Sequence, residues 1–186
     1  MKVLAYVALF GYAAASASAF TIKFHNKCKF TVWPAVGKAP NGQPDRSVSF
    51  GHKLDPGQTV SFKVDDHALG IRAWGRTGCN SQGANCKTGG CKGGLVCTDA
   101  GITSKVLLSE YGFGDFGNFG GKRTAWDLSR VDASINIDTA LSSSDGQVVT
   151  CRKSNCPTKQ AYQNPTDFVA DRNSALGQTF THTFCP

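Results

Sequence analysis

The chain has 186 residues, including 21 glycines and eight cysteines, and its 20 Lys and Arg outweigh 13 Asp and Glu for a formal net charge of +7. That length suits one ordinary domain with a real hydrophobic core. The basic excess is dispersed rather than gathered into runs and no nucleic-acid module accompanies it, so nucleic acid is excluded as a partner, while attraction to an anionic wall or membrane surface is allowed.

Residues 1–19 have the form of a secretory signal peptide: a charged Lys2, an apolar run from Val3 to Ala15, and the small-residue cleavage site Ala17-Ser18-Ala19. The mature domain is then 20–186, a secreted, extracellular or wall-associated monomer beginning at Phe20. The apolar run is too short for a membrane span and no later stretch approaches the necessary length. Export places the cysteines in an oxidising compartment, so four disulfides are expected, with no metal and no cofactor. The absence of Cys-x-x-Cys and His-x-x-x-His spacings agrees with that.

From Phe20 the residues alternate, with Phe20, Ile22 and Phe24 on one side and Thr21, Lys23 and His25 on the other. That is strand periodicity. Further strands are predicted at 30–33, where Pro34 marks an end or an edge position, and at 48–50, 59–64 and 71–74. A polar loop separates 38 from 46, and Asp55-Pro56-Gly57 marks a turn. After the cysteine block come 106–111, 126–129, 133–138, 147–151 and 178–185. Many short strands punctuated by Gly and Pro, with no amphipathic helix, predict an all-β antiparallel sandwich or barrel.

The stretch from Trp74 to Cys97 holds Cys79, Cys86, Cys91 and Cys97, separated by six, four and five residues. Such short intervals favour two local bridges, Cys79–Cys86 and Cys91–Cys97, though spacing alone does not fix the pairing. Cys28 with Cys185 would staple the first strand to the last, which leaves Cys151 for Cys156.

These residues resemble the thaumatin-like, pathogenesis-related family. The resemblance rests on the opening Phe-Thr-Ile-Lys-Phe-His-Asn-Lys-Cys at 20–28, on Trp-Gly-Arg-Thr-Gly-Cys at 74–79, and on Cys-Lys-Thr-Gly-Gly-Cys at 86–91. Gly-Gly-Leu-Val-Cys at 93–97 and the closing Thr-Phe-Cys-Pro at 183–186 complete it. It implies a disulfide-stapled β-sandwich. Gly90 stands where the family signature carries Asp, and the segment from Asp138 to Pro165 is much shorter than the family's cysteine-rich second domain. The chain therefore resembles the small family members, with loops in place of that domain and a shallower groove.

The resemblance further implies an acidic groove that binds β-1,3-glucan or another fungal wall polysaccharide, built from Arg76, Glu110, Asp127, Asp132 and Asp167. Glycosidic hydrolysis wants one protonated carboxyl and one ionised carboxylate. Glu110 is assigned as the acid and Asp127 as its partner, for weak endo-β-1,3-glucanase activity in defence or wall remodelling. The alternative is a non-catalytic antifungal protein perturbing walls or membranes, or a glycosidase inhibitor. Between Glu110 and Asp127 lies a Gly-Phe repeat, 112–121, too Gly-rich for a central strand. Its Phe113, Phe116 and Phe119 pack beneath a loop or, for Phe116, form an aromatic lip over the groove. The Gly-x-Gly-x-x-Gly at 112–117 is discarded as a dinucleotide site, because no helix follows it.

Overall fold

The computed structural model describes residues 18–186, so the signal-peptide assignment lies outside the described residues except at Ser18 and Ala19. In chain order the strands are β1 (Ala19–Asn26), β2 (Val32–Lys38), β3 (Asp45–Gly51), β4 (Thr59–Asp65), β5 (Ile71–Thr77) and β6 (Leu108–Asp115). They continue as β7 (Lys122–Ser129), β8 (Thr139–Ser143), β9 (Val148–Cys151), β10 (Arg172–Ala175) and β11 (Thr179–Phe184). Two sheets result, a five-stranded β4-β1-β11-β8-β9 and a six-stranded β10-β7-β6-β5-β2-β3. Every pairing is antiparallel except β1 with β11. Among the described residues no helix is long and apolar enough to cross a membrane.

Alternation in β1 and β11 turns Phe20, Ile22, Phe24, Phe180, His182 and Phe184 inward, all 0 or 1% exposed. Across the gap Tyr111 and Trp126 from the six-stranded sheet meet them, with the Phe180 ring 5.1 Å from Tyr111 and 5.6 Å from both Trp126 and Phe20. Each such aromatic side chain contributes about 1.5–3 kcal/mol by leaving water. A smaller apolar cluster, Ala35, Trp74, Cys97 and Val106, forms on the outer face of the same sheet beneath the cysteine-rich loops. The four bridges are those expected: Cys28–Cys185, Cys79–Cys86, Cys91–Cys97 and Cys151–Cys156.

Three sequence expectations shift. Pro34 lies inside β2, paired to Gly75 of β5, rather than at a strand end. Its carbonyl accepts from His52 on the β3 side, so its missing N–H also faces the side where β3 has run out and no ladder donor is needed. The predicted strand at 133–138 contributes only a bridge at Ser134, and the paired strand begins at Thr139, where its fully buried Leu141 enters the core. β10, Arg-Asn-Ser-Ala, has no apolar alternation to announce it, yet it completes the sheet edge on β7.

Arg76 of β5 is 0% exposed. Its Nε donates to the Trp33 carbonyl at 2.9 Å, Nη1 to Gly83 and Gly94 at 3.1 and 2.7 Å, and Nη2 to Leu95 at 2.8 Å. Burial lowers its pKa to about 10, which leaves it protonated at neutral pH. One side chain thus ties β2 and the 83–95 loop to β5. Replacing it with alanine orphans those carbonyls. We expect Arg76→Ala to cost at least about 3 kcal/mol in chemical denaturation, since hydrogen bonds to a charged group contribute about 1.5–3 kcal/mol each. A loss below about 1 kcal/mol would contradict this, that being the scale of one ordinary hydrogen bond.

His182 is buried in the core, its Nδ1 3.3 Å from Ser109 Oγ, and burial lowers its pKa to about 3. The unfolded chain takes this proton near pH 6.5 while the folded chain refuses it. Stability therefore falls as pH drops from about 6.5 towards 3, by up to about 1.4 kcal/mol per pH unit from this group. Denaturation midpoints across that window should show the slope in wild type and a flatter profile in His182→Gln.

Candidate functional site

On the outer face of the six-stranded sheet, β5, β6 and β7 place three ionisable residues in one row. Arg72 pairs in register with Glu110, and Glu110 with Asp127. Arg72 Nη2 lies 3.4 Å from Glu110 Oε1, with the Glu110 side chain 36% exposed. Like charges directly opposite across strands repel. Here the repulsion is relieved at Asp127, whose pKa is raised well above the usual carboxylate value by burial first, then by the Glu110 and Asp171 charges. Asp127 Oδ1 is buried without a hydrogen-bond partner among the described residues. The protonated form is therefore the favoured one.

Three loops wall this row. Asp99 organises the first, accepting from the Gly101 N–H at 3.1 Å and the Thr103 hydroxyl at 2.6 Å, and Gly101 presses on the Trp74 ring. The second contains Asp132, exposed and held at φ 50°. The third is anchored where Tyr162 N–H donates to Leu128 O at 2.9 Å and Arg130 N–H to Tyr162 O at 2.8 Å. Between them run two joined depressions. One of about 190 Å³ touches Arg72, Ser104, Lys105, Glu110 and Asp132. The other, about 250 Å³, touches Glu110, Asp127, Ser129, Tyr162 and Pro165.

Of the residues anticipated for this site, Glu110, Asp127 and Asp132 come together. Arg76 does not, because a guanidinium with no exposed surface has no face to offer a sugar. Arg72 stands in the row instead, four residues earlier, on the same strand face by simple alternation. Asp167 borders neither depression: its Oδ2 accepts from the backbone N–H groups of Gln163 and Asn164 at 3.0 and 2.8 Å, bonds that lower its pKa and shape the loop. Asp171, which likewise borders neither depression, accepts the Tyr162 hydroxyl at 2.7 Å, and its charge acts on Asp127. Burial raises the Tyr162 pKa, and that hydrogen bond raises it further, so the phenol stays a donor. With Asp127 protonated, Glu110 and Asp132 face Arg72 and Lys105. Arg72 and Lys105 thus offset part of the groove's acidity.

The first four residues of the Gly-Phe segment, 112–115, belong to the ladder, and 116–121 form the loop that connects β6 to β7. β6 and β7 continue as a ribbon from Gly112↔Ala125 to Asp115↔Lys122, past the end of β6's contact with β5, with β10 paired to the far side of β7 from Trp126 to Arg123. Gly114 is needed there, since a Cβ would lie 2.8 Å from the Phe116 ring. Phe116 thus caps the ribbon on the Glu110 face, 46% exposed, while Phe113 lies 4.7 Å from the His67 ring.

The thaumatin family model matches residues 26–186. A thaumatin-like protein of Oryza sativa subsp. japonica is 36% identical over 187 residues, covering 99% of this chain and 95% of that protein. The thaumatin-like protein PWIR2 of Triticum aestivum is 38% identical over 175 residues, covering 93% and 92%. Among solved structures, the thaumatin-like xylanase inhibitor TLXI superposes with a TM-score of 0.64 at 24% identity, covering 89% of this chain and 99% of that one. With the family model spanning the sandwich, the cysteine block and the row on β5 to β7, the chain belongs to the thaumatin family.

Proposed function

We propose that the chain is a secreted defence protein that binds β-1,3-glucan along the outer face of the six-stranded sheet and hydrolyses it slowly. The observation that carries this is the Glu110–Asp127 cross-strand pair, one carboxylate ion-paired with Arg72 and the other with its Oδ1 covered, unpartnered among the described residues, and its pKa raised by that burial. Several relatives bear pathogenesis-related names, such as a thaumatin-like pathogenesis-related protein of Avena sativa, which fits a role at the wall of an invading organism. The roles of the two acids exchange relative to the sequence expectation. Asp127 donates its proton to the leaving glycosidic oxygen, and Glu110 attacks the anomeric carbon. Water then enters with Asp127 as base. Cross-strand Cβ atoms stand about 4.5–5.5 Å apart, which suits the close carboxyl spacing of a retaining enzyme. Walls of short loops leave the groove open to water, which keeps turnover low.

Incubation with insoluble β-1,3-glucan separates binding from chemistry. Asp127→Asn and Glu110→Gln should each reduce release of reducing ends by about a hundredfold or more while pelleting survives. Wild-type turnover should fall as pH rises through the raised Asp127 value, because the acid must carry its proton. The same raised value means the folded chain holds a proton the unfolded chain has lost, so this group's stabilising contribution is full at low pH and fades as pH rises. Asp127→Asn should accordingly raise the neutral-pH melting midpoint, by about 2–4 °C for each kcal/mol recovered. Unchanged reducing-end release in both variants would sink the catalytic assignment. Pelleting without any release by wild type would make the groove a binding site only and leave the non-catalytic reading.

Phe116 is the aromatic lip of this reading. Phe116→Ala should weaken glucan pelleting several-fold while costing well under the ~3–5 kcal/mol of a buried Phe truncation, because about half the ring is exposed. A stability loss on the buried scale with pelleting unchanged would return Phe116 to a packing role.

A further inference from the structure

The far end of β5, five residues from Arg72, borders a separate concavity of about 420 Å³ touching Phe30, Trp33, Thr77, Gly78, Lys87 and Asn136. A second depression of about 220 Å³ continues from Phe30 and Asn136 to Asp138 and Lys153. Neither includes any residue of the Glu110 groove.

Several groups here are unused by the fold. Phe30 is 47% exposed beside the Trp33 ring, which is 8% exposed. Trp33 Nε1 is buried with no hydrogen-bond partner among the described residues. Such an orphaned donor is destabilising, and structures that keep one usually have a reason for it. Asn136 spends its amide nitrogen on Gly75 O at 2.8 Å and Thr88 Oγ1 at 2.9 Å, while its oxygen has no recorded partner among the described residues. Lys87 lays its stem over Gly78, whose φ is +61° and where a Cβ would sit 2.7 Å from Lys87 Cγ. Among the described residues neither Lys87 nor Lys153 makes an ion pair. Of the carboxylates nearby, Asp138 is turned to the Lys153 backbone N–H at 2.9 Å, and Asp55 accepts from the Thr31 hydroxyl at 2.7 Å and pairs with Lys53 at 3.4 Å.

An exposed aromatic face flanked by two free ammonium groups, with an amide oxygen beside it, matches a sugar ring that bears a carboxylate. The C–H face of the ring lies on Phe30, the carboxylate meets Lys87, and a hydroxyl donates to Asn136. Lys153, further along the same trough, is placed for the carboxylate of a neighbouring residue in the chain. We propose that this trough binds an acidic oligosaccharide built of uronic acid units. The net charge of +7, less the one positive charge of Lys2 in the leader, attracts such a polyanion at long range.

Calorimetric titration of the mature protein with a short oligogalacturonate, and with a neutral β-1,3-gluco-oligosaccharide of equal length, tests the idea. Binding of the acidic probe should weaken with added salt, and about fivefold in Lys87→Gln, the scale of one exposed ion pair. Phe30→Ala should also weaken it. Both variants should melt with wild type and pellet with insoluble β-1,3-glucan as wild type does, which separates this trough from the Glu110 groove. No binding of the oligogalacturonate would overturn the proposal. So would affinity untouched by both substitutions, or equal affinity of this trough for the neutral probe.

Discussion

The buried guanidinium of Arg76 is the contact on which the functional half of the molecule depends. A fully buried charge without a carboxylate partner is normally costly. It is tolerated here because glycine-rich turns point carbonyls of residues 83, 94 and 95 inward, where no strand can pair with them. Carbonyl dipoles stabilise the cation, and the cation satisfies the carbonyls. Lysine, with one compact ammonium, could not span that fork. The Cys79–Cys86 and Cys91–Cys97 bridges close the same turns locally, so loop and sheet move as one piece. Beyond the second bridge, the Asp99 loop rests on Trp74 and becomes a wall of the groove.

The groove floor shows the opposite arrangement, a conflict that is kept rather than resolved by the fold. The β6/β7 register sets Glu110 against Asp127, which is repulsive while both are ionised. Arg72 takes one charge and a proton takes the other. Nothing in the packing requires two acids at these positions, since Ala125 against Gly112, the next pair along, fills the same face without penalty. A destabilising pair retained on an exposed face is the usual mark of a site serving something other than stability.

Much of the sandwich was legible because burial imposes its own period. Phe20-Ile22-Phe24 and Phe180-His182-Phe184 alternate since one face meets the core, and the local cysteine spacing limited the bridges. β10 was illegible because an edge strand with one buried serine carries no such pattern. The ribbon at 112–115 was mistaken for loose loop because glycine propensity argues against strands, whereas here a ring from the next residues covers the bare backbone. In the site, Glu110 and Asp127 were recoverable from motif context. Arg76 and Asp167 were not, since matching a motif says nothing of which way a side chain turns or how far it is covered. Alternation along Ile71-Arg72-Ala73-Trp74 does put Arg72 on the groove face. No sequence signal singles out Asp171, which reaches the row only because the short 152–171 segment brings Tyr162 beside β7.

That short segment also sets what the groove can do. Preorganised charges act on a transition state in proportion to how well water is kept away. In this chain the third wall is a few residues around Tyr162 and Pro165, and the Glu110 side chain is 36% exposed to solvent. Water at Glu110 screens its charge. Asp127, one strand over, escapes this because its Oδ1 is covered. The pair therefore combines a well-protected proton donor with a poorly protected carboxylate. Under the proposed function, such an asymmetry favours holding a glycosidic oxygen by hydrogen bond over driving the bond to break.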